Sequence, residues 1–289
     1  MEWGIEYTLP FSSKWEIRVT DSKFVFDAPH YDSLNKARED FLRRLLPIIR
    51  SQAPLKSAAD IGCGLGYFSS FLMREGLNVS GLDGRRENIE EAKRRAPEVN
   101  FQLANVEDQS VQGLGPFDLV LCLGLLYHLE NPFQAVRNLH ALTGSVLIVA
   151  GMCIPDPRPI LFLQDECLSE DQGLQHVAFY PSEACLIKLL YRSGFPFVYT
   201  VTEGPAHSDF HASGLRKRVR TMLVASRKPI VSELLALASD YKSFEDLWRT
   251  PQTAAREFVG RLARFASKPV RDQAATVWRL AKSKQLKRT

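Results

Sequence analysis

Short apolar runs alternate with stretches whose apolar residues recur every three or four positions, from about residue 57 to residue 228. The runs are typical of buried strands, and the periodic stretches are typical of helices that pack one face on a core. The pattern predicts strands at 58–61, 78–82, 100–103, 117–121, 145–150, 197–202 and 221–226. It predicts helices at about 66–74, 85–95, 132–141 and 182–192.

Regular alternation of strand and helix favours one fold class. It predicts an α/β protein with a Rossmann-like, mostly parallel sheet of seven strands and helices on both faces. Ligands of such sheets bind beyond the carboxyl ends of the strands, where the strand order reverses. We therefore expect the functional residues in the segments that follow the strands.

The regions around this alternation predict a cap, two insertions and a C-terminal extension. Residues 1–55 are rich in aromatic residues and end in a predicted helix from about 33 to 49, which suggests an N-terminal cap or lid. The prolines at positions 155, 157 and 159 predict an irregular segment over 151–180, and this segment and 204–220 are expected to border the substrate. After Pro229 the pattern is helical to the end. The predicted domain limits are 1–55, 56–229 and 230–289.

A glycine-rich segment follows the first predicted strand. Three glycines stand at alternate positions in Asp60-Ile61-Gly62-Cys63-Gly64-Leu65-Gly66, directly before a predicted helix. Glycines there let the backbone approach a nucleotide-like ligand. Tyr67 occupies the position of the third glycine in a dinucleotide-binding G-x-G-x-x-G motif, which disfavours NAD.

Over roughly residues 57–228, this segment and three later ones resemble the class I S-adenosylmethionine-dependent methyltransferases. Asp83 ends the second predicted strand, Asn105-Val106 follows the third, and Phe117-Asp118-Leu119-Val120-Leu121 forms the fourth. The string Leu125-Leu126-Tyr127-His128-Leu129 with Asn131-Pro132 is similar to a subgroup that acts on small molecules, glycans or tRNA wobble uridines.

The resemblance implies S-adenosyl-L-methionine as the cofactor. Asp83 would bind both ribose hydroxyls, Asn105 would accept from the adenine amino group in place of the family's usual acid, and Val106 would donate its backbone N–H. Asp60 would either contact the ligand or support the glycine loop. The implied cofactor-binding set is Asp60, Gly62, Gly64, Gly66, Asp83, Asn105, Val106 and Leu123.

Tyr127 and His128 are the candidate catalytic residues, because they are the titratable pair nearest the expected transfer point. A neutral imidazole could remove a proton from the attacking hydroxyl or amine. Alternatively both residues only order the loop, since alignment of the reactants supplies much of the acceleration. We expect His176, His207 and His211 at the surface, and Arg216 to Arg220 either on a substrate phosphate or carboxylate or at a solvated strand edge.

Cysteine content and charge refine the expected location and partners. Five scattered cysteines without a C-x-x-C pair predict reduced, mostly buried thiols in a cytoplasmic protein and no metal site. The first residues lack the pattern of a secretory leader. From residue 251 onward the chain carries +8, which leaves about −4 elsewhere. This tail predicts an anionic partner or a membrane surface, or else a solvated helix face.

Together these patterns predict a methyltransferase that acts on an oxygen or nitrogen of a small molecule or sugar. A tRNA-modifying methyltransferase is the related alternative, prompted by the basic tail. A non-catalytic binding or assembly protein that keeps the cofactor fold is the alternative from another class, and an NAD-dependent reductase is a further one. The sequence leaves the acceptor and the oligomeric state open.

Overall fold

The computed structural model describes residues 24–166, 173–212 and 219–239. All of them belong to the first of two compact units, Met1–Asp240 and Tyr241–Thr289. Several sequence predictions fall outside the described residues: the aromatic residues before position 24, Cys167, the basic residues 216–218, and the C-terminal extension from residue 240 with its basic tail.

The described residues form ten strands and five helices. The strands are β1 (Ser57–Ile61), β2 (Asn78–Asp83), β3 (Asn100–Leu103), β4 (Phe117–Leu123), β5 (Thr143–Met152), β6 (Leu161–Asp165), β7 (Val177–Pro181), β8 (Phe197–Val201), β9 (Arg220–Ser226) and β10 (Leu235–Leu237). The helices are α1 (Pro29–Arg50), α2 (Tyr67–Arg74), α3 (Arg86–Arg95), α4 (Pro132–Leu142) and α5 (Glu183–Arg192). Short 3₁₀ turns lie at Val25–Asp27, Gln109–Leu114, Leu126–His128 and Ser208–Phe210.

Eight of the strands form one sheet in the order β10-β8-β9-β5-β4-β1-β2-β3. The five strands from β3 to β5 are parallel, whereas β9, β8 and β10 each run antiparallel to the neighbour before them. The predicted α/β fold with a mostly parallel sheet is therefore confirmed, although this sheet has eight strands and not the predicted seven. The strand order reverses between β1 and β4, which is where α/β sheets of this kind bind their ligands.

Neighbouring residues of each central strand point to opposite faces of the sheet, and each face is covered by helices. Ala58 packs in a cluster with α1, α2 and α3, whereas Ala59 packs in a second cluster with α4 and α5. Leu45 and Leu46 of α1 are fully buried, and each such side chain stabilises the fold by about 1.5–3 kcal/mol. In its described part, the predicted N-terminal cap thus contributes a helix to the main core.

Two predictions of local structure are wrong. Residues 151–180 were expected to be irregular, but β6 and β7 pair there as an antiparallel hairpin. A helix was expected after Pro229, but β10 extends the sheet by pairing Leu235 with Val201. In both places a backbone partner distant in sequence satisfies the peptide groups, which local periodicity does not reveal.

Within the described residues, no helix has the length and apolar character that crossing a membrane requires. The predicted domain limits after residues 55 and 229 stay predictions.

Candidate functional site

A cavity of about 380 Å³ lies at the carboxyl ends of β1, β2 and β4. Its volume is in the range of small-molecule sites. Residues from the glycine loop line one part of it, and residues of α1, the 3₁₀ turn after β4 and the start of β9 line another. The cavity therefore lies at the strand-order reversal, where the sequence placed the functional residues.

The glycine loop has positive φ angles, which residues with side chains rarely adopt. Gly62 donates its backbone N–H to the Leu82 carbonyl at 2.8 Å, which holds the loop against the end of β2. Gly64 has a φ of +52° and Gly66, which precedes α2, has a φ of +84°. A Cβ atom on Gly66 would lie 2.7 Å from the Phe101 ring. The loop consequently presents bare backbone to the cavity.

Asp83 closes β2 with its carboxylate at the cavity. Its Oδ2 accepts from the Gly64 backbone N–H at 2.9 Å, and its Oδ1 accepts from the Arg85 N–H at 2.9 Å and from Asn88 Nδ2 at 3.1 Å. Burial raises the pKa of Asp83 against the opposing effect of these hydrogen bonds. Since a carboxylate has about four acceptor positions, three donors leave capacity for a ligand hydroxyl.

Two acids from the sequence motifs lie outside the cavity lining. Asp60 is 2% exposed and accepts from Ser69 Oγ at 2.7 Å, and burial raises its pKa to about 6. Asp118 lies at the other end of its strand and accepts from the backbone N–H groups of Lys56 and Ser57 at 2.8 and 3.0 Å. Of the two roles open for Asp60, this geometry favours support of the loop, by joining β1 to α2.

Asn105, Val106 and Leu123 all line the cavity. The Asn105 side-chain oxygen accepts from the Glu107 backbone N–H at 3.0 Å, which forms a local turn after β3. Val106 is buried, and its carbonyl accepts from Asn138 Nδ2 at 2.8 Å. The turn is thus fixed from both sides, and its residues are positioned rigidly beside the glycine loop.

Tyr127 and His128 lie in the 3₁₀ turn after β4, and both line the cavity. His128 Nδ1 hydrogen-bonds the Glu166 carboxylate, whose other oxygen accepts from the Gly173 backbone N–H at 2.8 Å. Burial lowers the pKa of His128, but Tyr127 and Glu166 together outweigh it and raise the pKa. Sequence reasoning missed Glu166, although it placed the segment 151–180 beside the substrate.

Two arginines line the cavity close to Tyr127. Arg38 of α1 is 4% exposed, and burial followed by the charge of Arg220 lowers its pKa to about 9. Burial would raise the pKa of Tyr127, but the charges of Arg220, His128 and Arg38 and a hydrogen bond from Arg220 lower it to about 8. Arg220 belongs to the predicted basic cluster 216–220.

Sequence reasoning missed Arg38, yet a signal for it exists. It stands among the apolar positions Leu34, Phe41, Leu42 and Leu45, which face the core at helical spacing. An arginine on the apolar face of a predicted helix is unusual, because buried charges are rare unless they are paired or functional.

The three histidines expected at the surface lie away from the cavity. His176 and His211 are exposed and His207 is half-buried, and none of the three lines the cavity. The four cysteines in the described ranges, Cys63, Cys122, Cys153 and Cys185, are free and buried, as expected. Across those ranges, no group of three or more His, Cys, Asp or Glu residues could hold a metal ion.

Comparison with known proteins identifies the central part of this fold. Residues 59–145 match the family model described as a methyltransferase domain. The ubiquinone biosynthesis O-methyltransferase of Vibrio parahaemolyticus is 33% identical over 91 residues, which cover 30% of this chain and 39% of that protein. The tRNA U34 carboxymethyltransferase of Actinobacillus succinogenes is 31% identical over 179 residues, which cover 57% and 53%. The chain thus spans about half, or less, of the length of these curated relatives.

Solved structures share the fold at lower identity. The N-terminal domain of EvdMO1 with SAH bound superposes with a TM-score of 0.53 at 21% identity and covers 66% of this chain and 81% of that one. An S-adenosylmethionine-dependent methyltransferase from Mesorhizobium loti gives 0.50 at 19% identity, covering 66% and 98%. The matched family and the shared fold confirm the resemblance that the motifs indicated.

Proposed function

We propose that this chain is a class I S-adenosylmethionine-dependent methyltransferase that methylates an oxygen or nitrogen of a small molecule or sugar. The observation that carries this proposal is the Asp83 carboxylate at the cavity, held by the Gly64 backbone beside the bare glycine loop. We also propose a cytoplasmic location, which the free cysteines of the described ranges support.

The residues of this cavity fit the proposed cofactor, S-adenosyl-L-methionine. Gly62, Gly64 and Gly66 offer backbone without side chains to its methionine portion, and Asp83 keeps acceptor capacity for a ribose hydroxyl. Asn105 and Val106 would bind the adenine, and Leu123 would contact the cofactor. When bound, the cofactor supplies an electrophilic methyl group on a positively charged sulfur.

His128 is the residue that we assign to proton removal. Its Nδ1 is held by Glu166, which would keep a proton on Nδ1 and leave Nε2 as the basic nitrogen, as in other carboxylate-oriented histidines. With the cofactor held by the glycine loop and Asp83, its methyl group would be the electrophile, and His128 Nε2 would take the proton of the acceptor oxygen or nitrogen. Tyr127 stands beside it, with the two ring centroids 4.2 Å apart, and would orient the acceptor.

Cofactor titration by calorimetry tests this proposal first. Asp83→Asn should weaken binding of S-adenosylmethionine by about 1.5–3 kcal/mol, a factor of roughly 10 to 100, because hydrogen bonds to a charged carboxylate are lost. Glu203→Gln is the matched control, since Glu203 is exposed and pairs only weakly with Arg44 at 3.5 Å. Unchanged affinity in Asp83→Asn, or tighter binding of NADH than of S-adenosylmethionine, would refute the assignment.

Transfer of radiolabelled methyl groups to fractions of a cell lysate tests the reaction and the acceptor. We expect label in the small-molecule fraction. Cofactor binding without transfer to any fraction would favour the non-catalytic binding protein instead.

tRNA modification is the second candidate function. It is favoured by the similarity to the tRNA U34 carboxymethyltransferase, which extends over 179 residues and thus beyond the matched family model. Label in the RNA fraction, with binding that weakens steeply as salt is added, would support it over a small-molecule acceptor.

A further inference from the structure

We propose that Arg38 and Arg220 form a binding site for an oxyanion, a carboxylate or phosphate, carried by the acceptor. This inference deepens the proposed function, because it names the chemical class of the acceptor and rests on the same cavity. It is carried by guanidinium N–H donors that lack a partner among the described residues, by an uncompensated charge and by the position of both arginines next to the end of β4.

The two guanidinium groups keep donors that the protein does not satisfy. Nε and Nη2 of Arg38 and Nη1 of Arg220 are buried and have no hydrogen-bond partner among the residues that the structure describes. Leaving a buried donor without a partner costs about 1–3 kcal/mol, and more for a charged group. Three such donors, on two residues that line one cavity, indicate that a ligand supplies the acceptors.

The positive charges of Arg38 and Arg220 also exceed the negative charge paired with them in the described part of the chain. In the described part of the chain, Arg38 forms no salt bridge, and its Nη1 donates only to the Asn35 side-chain oxygen at 3.2 Å. Arg220 pairs through Nε with Asp209 at 3.2 Å. Among the described residues, a carboxylate thus pairs with Arg220 but not with Arg38, and an uncompensated buried charge is strongly unfavourable. An anionic ligand would restore the balance.

Gly124 places the pair close to the proposed transfer point. It follows Leu123 at the end of β4 with a φ of +104°, and a Cβ atom there would lie 3.9 Å from Arg38 Nη2 and 3.7 Å from the Tyr127 hydroxyl. The absence of a side chain opens the space in front of both groups. An oxyanion bound there would also accept from Tyr127, and its carrier would reach the cofactor side of the cavity.

The chemistry of arginine explains why an oxyanion is the expected ligand. A guanidinium group presents its N–H donors in a planar fork that matches two oxygens of a carboxylate or phosphate. A purely structural arginine at this depth would instead be expected to have its donors satisfied by the protein, as buried polar groups generally are.

Matched ligand pairs test the inference by calorimetry on protein saturated with S-adenosylhomocysteine. The pairs are 4-hydroxybenzoate with 4-hydroxybenzamide and phenyl phosphate with phenol, and the preferred anion tells a carboxylate from a phosphate site. We expect at least one anion to bind tenfold or more tightly than its neutral partner. Arg38→Met and Arg220→Met should each remove that preference, whereas Arg44→Met, on the exposed face of α1, should keep it.

Melting temperatures measured without acceptor distinguish an arginine that binds a ligand from one that only stabilises the fold. If Arg38 is an uncompensated buried charge, Arg38→Met should keep or raise the melting temperature. Added inorganic phosphate should raise the melting temperature of the wild type but not that of the arginine variants. Affinity for S-adenosylhomocysteine should stay unchanged in both arginine variants, which separates this inference from the cofactor assignment. Equal binding of anions and neutral partners by the wild type would overturn it. So would an Arg38→Met variant that melts earlier and still prefers the anion.

Discussion

The two sides of the cavity differ in how their charged groups are satisfied. On the proposed cofactor side, Asp83 accepts three hydrogen bonds from nearby protein groups, and Asp60 beneath it is bound by Ser69. On the proposed acceptor side, Arg38 and Arg220 keep buried donors without a partner among the described residues. The first side is complete in shape before a ligand binds, whereas the second depends on a ligand to supply acceptors and charge.

The largest expected effect comes from filling the glycine loop. Gly66→Ala should destabilise the fold by about 2–5 kcal/mol, because it combines a strained φ with a Cβ only 2.7 Å from Phe101. The variant should also lose affinity for the cofactor. This substitution does not touch the arginines of the acceptor side. Urea unfolding and cofactor calorimetry measure both quantities.

Gly76→Ala is the matched control for that substitution. Gly76 has nearly the same φ, +82°, but its Cβ would meet nothing within 4 Å. It should lose only about 1–2 kcal/mol from backbone strain and keep its cofactor affinity. Equal losses in the two variants would show that the close packing around Gly66 is unimportant.

The same contrast explains what the sequence could predict. The glycine loop and Asp83 lie within one strand-loop-helix-strand unit. Their proximity therefore follows from the local sequence pattern and from the order of the elements along the chain. Arg38, Glu166 and Arg220 reach the cavity from a long helix, a hairpin and an antiparallel strand. Their meeting depends on tertiary packing, which periodicity does not encode, although the arginine among apolar positions of α1 was a visible signal.

A smaller effect is expected from the residues that handle the proton. His128→Ala should lower kcat by about 100-fold at unchanged cofactor affinity, in the range of general base catalysis. Since the pKa of His128 is raised, its neutral form and hence turnover should increase with pH above the ordinary histidine range. Glu166→Gln removes a carboxylate that stabilises the imidazolium, so the rising limb should move to lower pH. An unmoved limb would exclude His128 as the base.

The smallest effect concerns the pH dependence of acceptor binding. The pKa of Tyr127 is lowered to about 8, so its phenolate forms as pH rises through that value and neutralises the arginines. Anion affinity should therefore fall above about pH 8. The other titratable or charged groups near the bound anion are Arg38, Arg220, Asp209, Tyr31 and His128. In Tyr127→Phe this fall should be absent, because the arginines stay charged and no phenolate forms beside them. Calorimetry at several pH values distinguishes the two curves.

The most direct test of two distinct sides uses Asp83→Asn and Arg38→Met with both ligands. Affinities for S-adenosylhomocysteine and for the preferred anionic probe are measured by calorimetry in each variant. Asp83→Asn should lose affinity for S-adenosylhomocysteine and keep the preference for the anion, and Arg38→Met should show the reverse. If each variant loses both ligands, or if neither loses its own, the division of the cavity into a cofactor side and an oxyanion-binding acceptor side is contradicted.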